Sequence, residues 1–130
     1  MSQVYAKRAG MMRGYPVAAD TSIAACSPVF LSTGLAVGYD DADATSLFAG
    51  IAVHPADNSD GAVGAAVVEL DHQEIALMNA GDISNDSVGS DAFFTDAVTV
   101  SIDSATDTLP KAGTITQLEG DLVWIKPAIV

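Results

Sequence analysis

Short apolar runs separated by turn-forming residues are the feature that most constrains this fold. From Pro28 onward, runs rich in Val, Ile, Ala and Phe are interrupted at close intervals by Gly, Asp, Asn and Ser. This rhythm is typical of all-β proteins, and no segment has the sustained 3.6-residue period of an ordinary helix. We therefore predict an all-β chain that forms a compact β-barrel or β-sandwich-like domain. The predicted strands are residues 29–31, 47–53, 63–70, 74–78, 92–94, 98–102, 114–118 and 122–125.

Length and composition narrow the class of protein further. A chain of 130 residues and 13.3 kDa fits one domain, and 49% hydrophobic with 17% charged residues is too apolar for a disordered chain. Five basic residues against seventeen acidic ones give a net charge of −12, which opposes binding to nucleic acid or to anionic lipid. No apolar run has the length of a membrane span. The sequence thus predicts neither a nucleic-acid nor a membrane partner.

Charge is segregated along the chain. Lys7, Arg8 and Arg13 give residues 1–13 a charge of +3, whereas residues 14–130 hold two lysines and all seventeen acidic residues. Residues 1–27 show no regular period, which predicts an extended N-terminal arm ahead of a β-rich domain at 28–130. Such an arm is either mobile or ordered by a partner. Since Tyr and Arg are enriched in protein contacts, the candidate interface residues on the arm are Tyr5, Lys7, Arg8, Arg13 and Tyr15.

Local patterns predict three details of the sheet. Glu119-Gly120-Asp121 separates two apolar runs and predicts a C-terminal hairpin, and Asp71-His72 predicts a second hairpin between residues 67–70 and 73–77. Strict alternation over residues 98–103 predicts a strand with one apolar and one wet face. Trp124, between Val123 and Ile125, is interpreted as core or subunit-interface packing, with a ligand-binding shelf as the alternative.

Catalytic and metal-binding patterns are not recognisable in the sequence. The histidines, His54 and His72, fall at a strand edge and in a turn, and no nucleophile elbow or phosphate-binding loop is found. One cysteine, Cys26, allows no intramolecular disulfide and is expected as a small buried or interface thiol, because no apolar leader precedes it to indicate lipidation. We therefore predict a non-enzymatic protein without a cofactor or a resident metal.

Two aspartate-rich loops leave a calcium site open as an alternative. Asp40-Asp41-Ala42-Asp43 and Asp57-Asn58-Ser59-Asp60-Gly61 could present carboxylates to a hard cation, but neither matches the twelve-residue EF-hand loop. Solvated turns account for the same residues. A calcium-assisted carbohydrate-binding domain remains a functional alternative on this basis.

A series of short motifs resembles the small decoration, or cement, proteins of tailed bacteriophage heads. The resemblance spans residues 28–126, and it lies in the order of the motifs. They are Gly50-Ile51-Ala52-Val53, Val63-Gly64-Ala65-Ala66-Val67, Ala80-Gly81-Asp82-Ile83, Ser87-Val88-Gly89-Ser90, Thr95-Asp96, Val98-Thr99-Val100-Ser101, Ala112-Gly113 and Glu119-Gly120-Asp121-Leu122-Val123-Trp124-Ile125.

The resemblance implies a protein of the virion that is made in the host cytoplasm and placed on the outer capsid surface. It implies a β-rich homotrimer at local three-fold sites, with the major capsid protein as its partner, that stabilises the expanded head without catalysing a reaction. Trp124 lies within the matched motifs and is the candidate interface residue of the body, whereas the arm has no matching motif. A tail or fibre-associated β module is the alternative within the virion.

Overall fold

The computed structural model describes residues 12–71 and 73–129, and nearly all of its regular structure is β. The prediction of an all-β fold is confirmed. The strands are β1 (Met12–Pro16), β2 (Thr21–Ile23), β3 (Pro28–Ser32), β4 (Leu35–Val37), β5 (Leu47–Ala52), β6 (Ala56–Asn58), β7 (Val67–Asp71), β8 (Ile75–Asn79), β9 (Asp91–Phe94), β10 (Thr99–Ser101), β11 (Lys111–Glu119) and β12 (Leu122–Pro127). Two single-turn 3-10 helices lie at Tyr39–Asp41 and Asn85–Ser87.

Five strands of the C-terminal half pair in a closed ring. The order is β11, β12, β8, β10 and β9, and β9 pairs back with β11. The cluster of buried side chains associated with this ring is the Phe94 core, formed by Phe30, Val37, Phe48, Leu77, Ile83, Ala92, Phe94, Val100, Ala112, Ile115, Val123 and Ile125. Phe94 meets Phe30 and Phe48 edge-on, with ring centroids 4.9 and 5.0 Å apart.

A second ring is built from the N-terminal half. β1 pairs with β7, β7 with β5, β5 with β3 and β3 with β4, and a bridge from Val17 to Ala36 returns to the end of β1. Its interior is the Leu70 core, formed by Val17, Ile23, Val29, Ala36, Ala49, Ala52, Ala56, Val68 and Leu70. The small sheet of β2 and β6 contributes Ile23 and Ala56 to this core.

β3 and β5 form a wall between the two cores. Phe30 and Phe48 belong to the Phe94 core, whereas the adjacent residues Val29 and Ala49 belong to the Leu70 core. Burial on both faces explains why these strands are continuous apolar runs rather than alternating ones. We call β3 and β5 the shared wall.

The predicted N-terminal arm is partly incorporated into this fold. Of residues 1–27, the structure describes 12–27, and these include β1, which pairs with β7, and β2, which pairs with β6. The expectation of an arm without regular structure is therefore wrong for Met12–Pro16 and Thr21–Ile23. The reason is tertiary: short strands without their own apolar period are stabilised by neighbours distant in sequence.

One of the two predicted hairpins is confirmed. Glu119 pairs with Leu122 across a two-residue turn in which Gly120 has φ of 59°, as the position requires. The hairpin predicted at Asp71-His72 is wrong. β7 pairs with β1 and β5, whereas β8 pairs with β12 and β10, so the chain passes there from one ring to the other.

The predicted two-faced strand at 98–102 is also corrected. Only Thr99–Ser101 is a strand, and Val98 and Ile102 are exposed while Val100 is buried. Ser101, predicted on the wet face, is buried, and its hydroxyl donates a hydrogen bond to the Asp82 carboxylate. Local alternation does not reveal this partner, which lies in a separate loop.

Within the described part of the chain, no helix has the length and hydropathy of a membrane span.

Candidate interaction surface

An uncharged patch lies on the outer side of β8 and β12. Along β12, Val123 and Ile125 point into the Phe94 core, so Leu122 and Trp124 are on the opposite side. The strand register places Leu122 beside Met78 and Trp124 beside Ala76. We call these four residues, Ala76, Met78, Leu122 and Trp124, the Trp124 face.

The Trp124 face is partly exposed, because Ala76, Leu122 and Trp124 are half-buried and Met78 is its exposed member. Met78 is 45% exposed, and its backbone N–H donates to the carbonyl of Val98, which is itself 57% exposed. Single exposed apolar residues are ordinary, but contiguous ones mark contact surfaces. The four residues have the composition of an interface centre, with an aromatic residue and a methionine, and the carboxylate of Glu119 lies at their edge beside Leu122.

Neighbouring polar groups hold Trp124 in position. Its indole Nε1–H donates to Glu119 Oε1 at 3.3 Å. A β-bulge between Ile115 and Gln117 leaves Thr116 unpaired, and its hydroxyl lies 3.2 Å from the carbonyl oxygen of Trp124 and 2.9 Å from Glu74 Oε2. Because the N–H group is satisfied within the chain, a partner could cover the ring without leaving a donor unpaired.

The candidate residues of the arm do not join the Trp124 face. Tyr15 is partly buried and packs against the Leu70 core, and Arg13 is paired with Leu70 in the same β1–β7 ladder. The Nε of Arg13 is buried and has no acceptor among the residues that the structure describes. Tyr5, Lys7 and Arg8 lie outside the described residues. Trp124, predicted as core or interface packing, is partly exposed and does not belong to either core.

The aspartate-rich loops use carboxylates to fix their own turns. Asp43 Oδ1 accepts hydrogen bonds from the backbone N–H and hydroxyl of Thr45, and Asp57 accepts one from the N–H of Ser59. Bonding to these donors lowers the pKa of Asp43 and of Asp57 below the ordinary 3.8. In the described part of the chain, no three acidic, histidine or cysteine side chains are grouped for a metal.

An open cleft lies beside Asp71, the partner of Met12 at the start of β1. Its volume is about 470 Å³, and its lining includes Cys26, Ile51, Asp71, Gln73, Glu74 and Ile75. We call it the Cys26 cleft. Cys26 is exposed there, so the expectation of a buried thiol is wrong, whereas an interface position for it stays a prediction. The sequence gives no sign of the cleft, because its residues come from three separate segments.

Comparison with known proteins identifies no relative. No protein-family model, curated protein or solved structure matches this chain. Arguments about its function therefore depend on its own residues and surfaces.

Proposed function

We propose that this chain is a non-enzymatic structural protein of a tailed-phage virion. It binds the outer capsid surface and stabilises the expanded head, as a homotrimer at local three-fold sites beside the major capsid protein. The order of short motifs across residues 28–126 supports the proposal, and an all-β body is compatible with it.

The Trp124 face is the observation that carries the proposal. Each copy has a net charge of −12, so copies repel one another wherever their acidic surfaces meet. The four uncharged side chains of the Trp124 face offer an apolar area for contact between copies, and the Glu119 carboxylate at its edge accepts a hydrogen bond from the Trp124 indole. We assign this face to the contact between copies in the trimer.

The basic N-terminal segment supplies a second contact in this proposal. Lys7 and Arg8 precede the first described strand, and they are separated in sequence from the acidic body. We assign the segment to the major capsid protein. Since Arg13 lies within the β1–β7 ladder, the deletion that tests this contact is residues 1–11 rather than a longer one.

Solution mass tests the assignment of the Trp124 face. We expect light scattering after gel filtration to give three times the chain mass of 13.3 kDa. The double variant Trp124→Ala/Met78→Ala should shift toward the monomer, whereas Val63→Ala, an exposed apolar residue outside the face, should not. A wild-type monomer at high concentration, or an unaltered trimer in the double variant, contradicts the assignment.

Copy number in gradient-purified particles tests the virion role. Stoichiometry close to that of the major capsid protein is expected for a decoration protein. A few copies per particle would indicate a tail or fibre component instead. Absence from particles would remove the virion proposal and favour the carbohydrate-binding alternative.

A further inference from the structure

The Cys26 cleft lies where the N-terminal segment leaves the fold. Met12, the first residue of β1, is paired with Asp71, and Asp71 also lines the cleft. β1 runs antiparallel to β7, so the chain before Met12 leaves the sheet at the end where β7 leads to Gln73 and Glu74. Both of these residues line the cleft as well.

The cleft combines apolar walls with two carboxylates that lack a described cation. Asp71 accepts hydrogen bonds from the backbone and side chain of Gln73, and Glu74 lies beside the Thr116 hydroxyl. The ion pair found within residues 12–71 and 73–129 is Lys111 with Asp91. Even Lys126, one position beyond the Ile125–Ile75 pair, forms no ion pair with Glu74 there.

The basic residues before Met12 and the length of chain that carries them fit the acidic Cys26 cleft. Three of the five basic residues, Arg13, Lys111 and Lys126, lie in the described chain, and the other two are Lys7 and Arg8. Arg8 is four residues before Met12, so an extended chain can carry it up to about 13 Å from Met12, at the start of β1. Glu74 is three residues beyond Asp71, the partner of Met12, and so is at most about 11 Å from it, which is within this reach.

We propose that residues 1–11 dock into the Cys26 cleft of their own chain, with Lys7 and Arg8 facing Asp71 and Glu74. The inference concerns the free chain, in which the capsid contact proposed for the same residues is not made, and its test does not require particles. Because the segment is tethered at the cleft, its effective concentration there is high, and weak ion pairs suffice to hold it. The docked segment covers the thiol of Cys26.

Cys26 provides the probe, because it is the sole cysteine and lies in the cleft. The experiment compares its alkylation rate with N-ethylmaleimide and with a bulky polyethylene glycol maleimide, in the full chain and in variants. Both reagents attack the same thiolate, so the ratio of their rates cancels any effect of charge on thiol ionisation. Circular dichroism establishes that each variant is folded.

Deleting residues 1–11, or introducing Lys7→Glu/Arg8→Glu, should raise the relative rate of the bulky reagent about fivefold, a modest factor because exposed ion pairs are weak. Asp71→Asn/Glu74→Gln should act in the same direction. The matched control Ser2→Glu/Gln3→Glu adds acidic residues to the same segment but keeps Lys7 and Arg8, so it should change the ratio much less.

Two results would overturn the proposal. An unchanged ratio in both the deletion and Lys7→Glu/Arg8→Glu would show that the segment does not cover the cleft. Protection that disappears on dilution would show that the segment of another copy occupies it. Neither result depends on whether the chain is found in a virion.

Discussion

Asp43 stabilises its turn most strongly when its carboxyl group is ionised. Its Oδ1 accepts two hydrogen bonds from Thr45, and this bonding lowers its pKa in the folded chain. A carboxyl group whose pKa is lower in the folded state contributes stability above its unfolded pKa. That contribution is lost as the pH falls through the folded-state pKa.

Asp43→Asn should therefore alter the pH dependence of stability. The asparagine keeps an acceptor oxygen but does not titrate, so the advantage of the wild type should be largest above about pH 5 and shrink toward about pH 3. Urea unfolding of both proteins across this range measures the difference. A difference that stays constant with pH would contradict the role assigned to the ionised carboxylate.

At the scale of the element, β11 depends on a glycine. β11 lies between β12 and β9, and Gly113 is paired with Pro127 on one side and Ala92 on the other. Its φ is 143°, and an added Cβ would overlap the carbonyl oxygen of Lys126. Both the backbone conformation and the close approach of β12 therefore require glycine here.

Gly113→Ala should lower the free energy of unfolding by about 2–4 kcal/mol, because backbone atoms cannot move aside as a flexible side chain can. Gly120→Ala is the matched control. Gly120 also has positive φ, but an added Cβ there would have no neighbouring atom within 4 Å. Gly120→Ala should therefore lower the free energy of unfolding by about 1–2 kcal/mol, the cost of the left-handed backbone alone. Equal losses in the two variants, measured by urea unfolding, would contradict the steric argument.

Sequence patterns predicted the strands that carry their own apolar signal. β3, β5, β8, β9, β11 and β12 were all expected, and so was the turn at Gly120. β1, β2, β4 and β6 were not, because they are short or polar and depend on pairing with distant strands. The long strand expected at 63–70 shortens to Val67–Asp71, since Gly64 has positive φ in a turn.

The candidate surface was predicted less well than the fold. Trp124 was singled out, but Ala76, Met78 and Leu122 join it only through the register of β8 with β12, which no local pattern encodes. Arg13 and Tyr15 were placed on an arm, whereas pairing of β1 with β7 makes them part of the body. The missing information in both cases was which strands are neighbours.

At the scale of the whole molecule, the shared wall couples the two cores. Phe30 and Val29 are adjacent on β3, yet each packs in a different core, and Phe48 and Ala49 repeat this on β5. Loss of either core would expose one face of the same two strands. We therefore expect the described body to unfold in one cooperative transition.

Leu70→Ala tests this coupling. It removes a fully buried side chain from the Leu70 core and should cost about 2–5 kcal/mol. Fluorescence of Trp124, which lies on the other ring, should report the same shifted midpoint as circular dichroism. Phe94→Ala, in the core beneath Trp124, is the comparison that should shift both signals too. A tryptophan transition unmoved by Leu70→Ala would show that the rings unfold separately.

The shared wall also limits how this sequence can diverge. Ala49 and Ala52 are almost completely buried, and Gly50 lies between them on a strand with a core on either side. A larger side chain at these positions would need compensating changes on the side it faces, while the strand must still fit the other side. Distant relatives should therefore keep small residues at the positions of Ala49, Gly50 and Ala52, even where the loops and the surface charges differ.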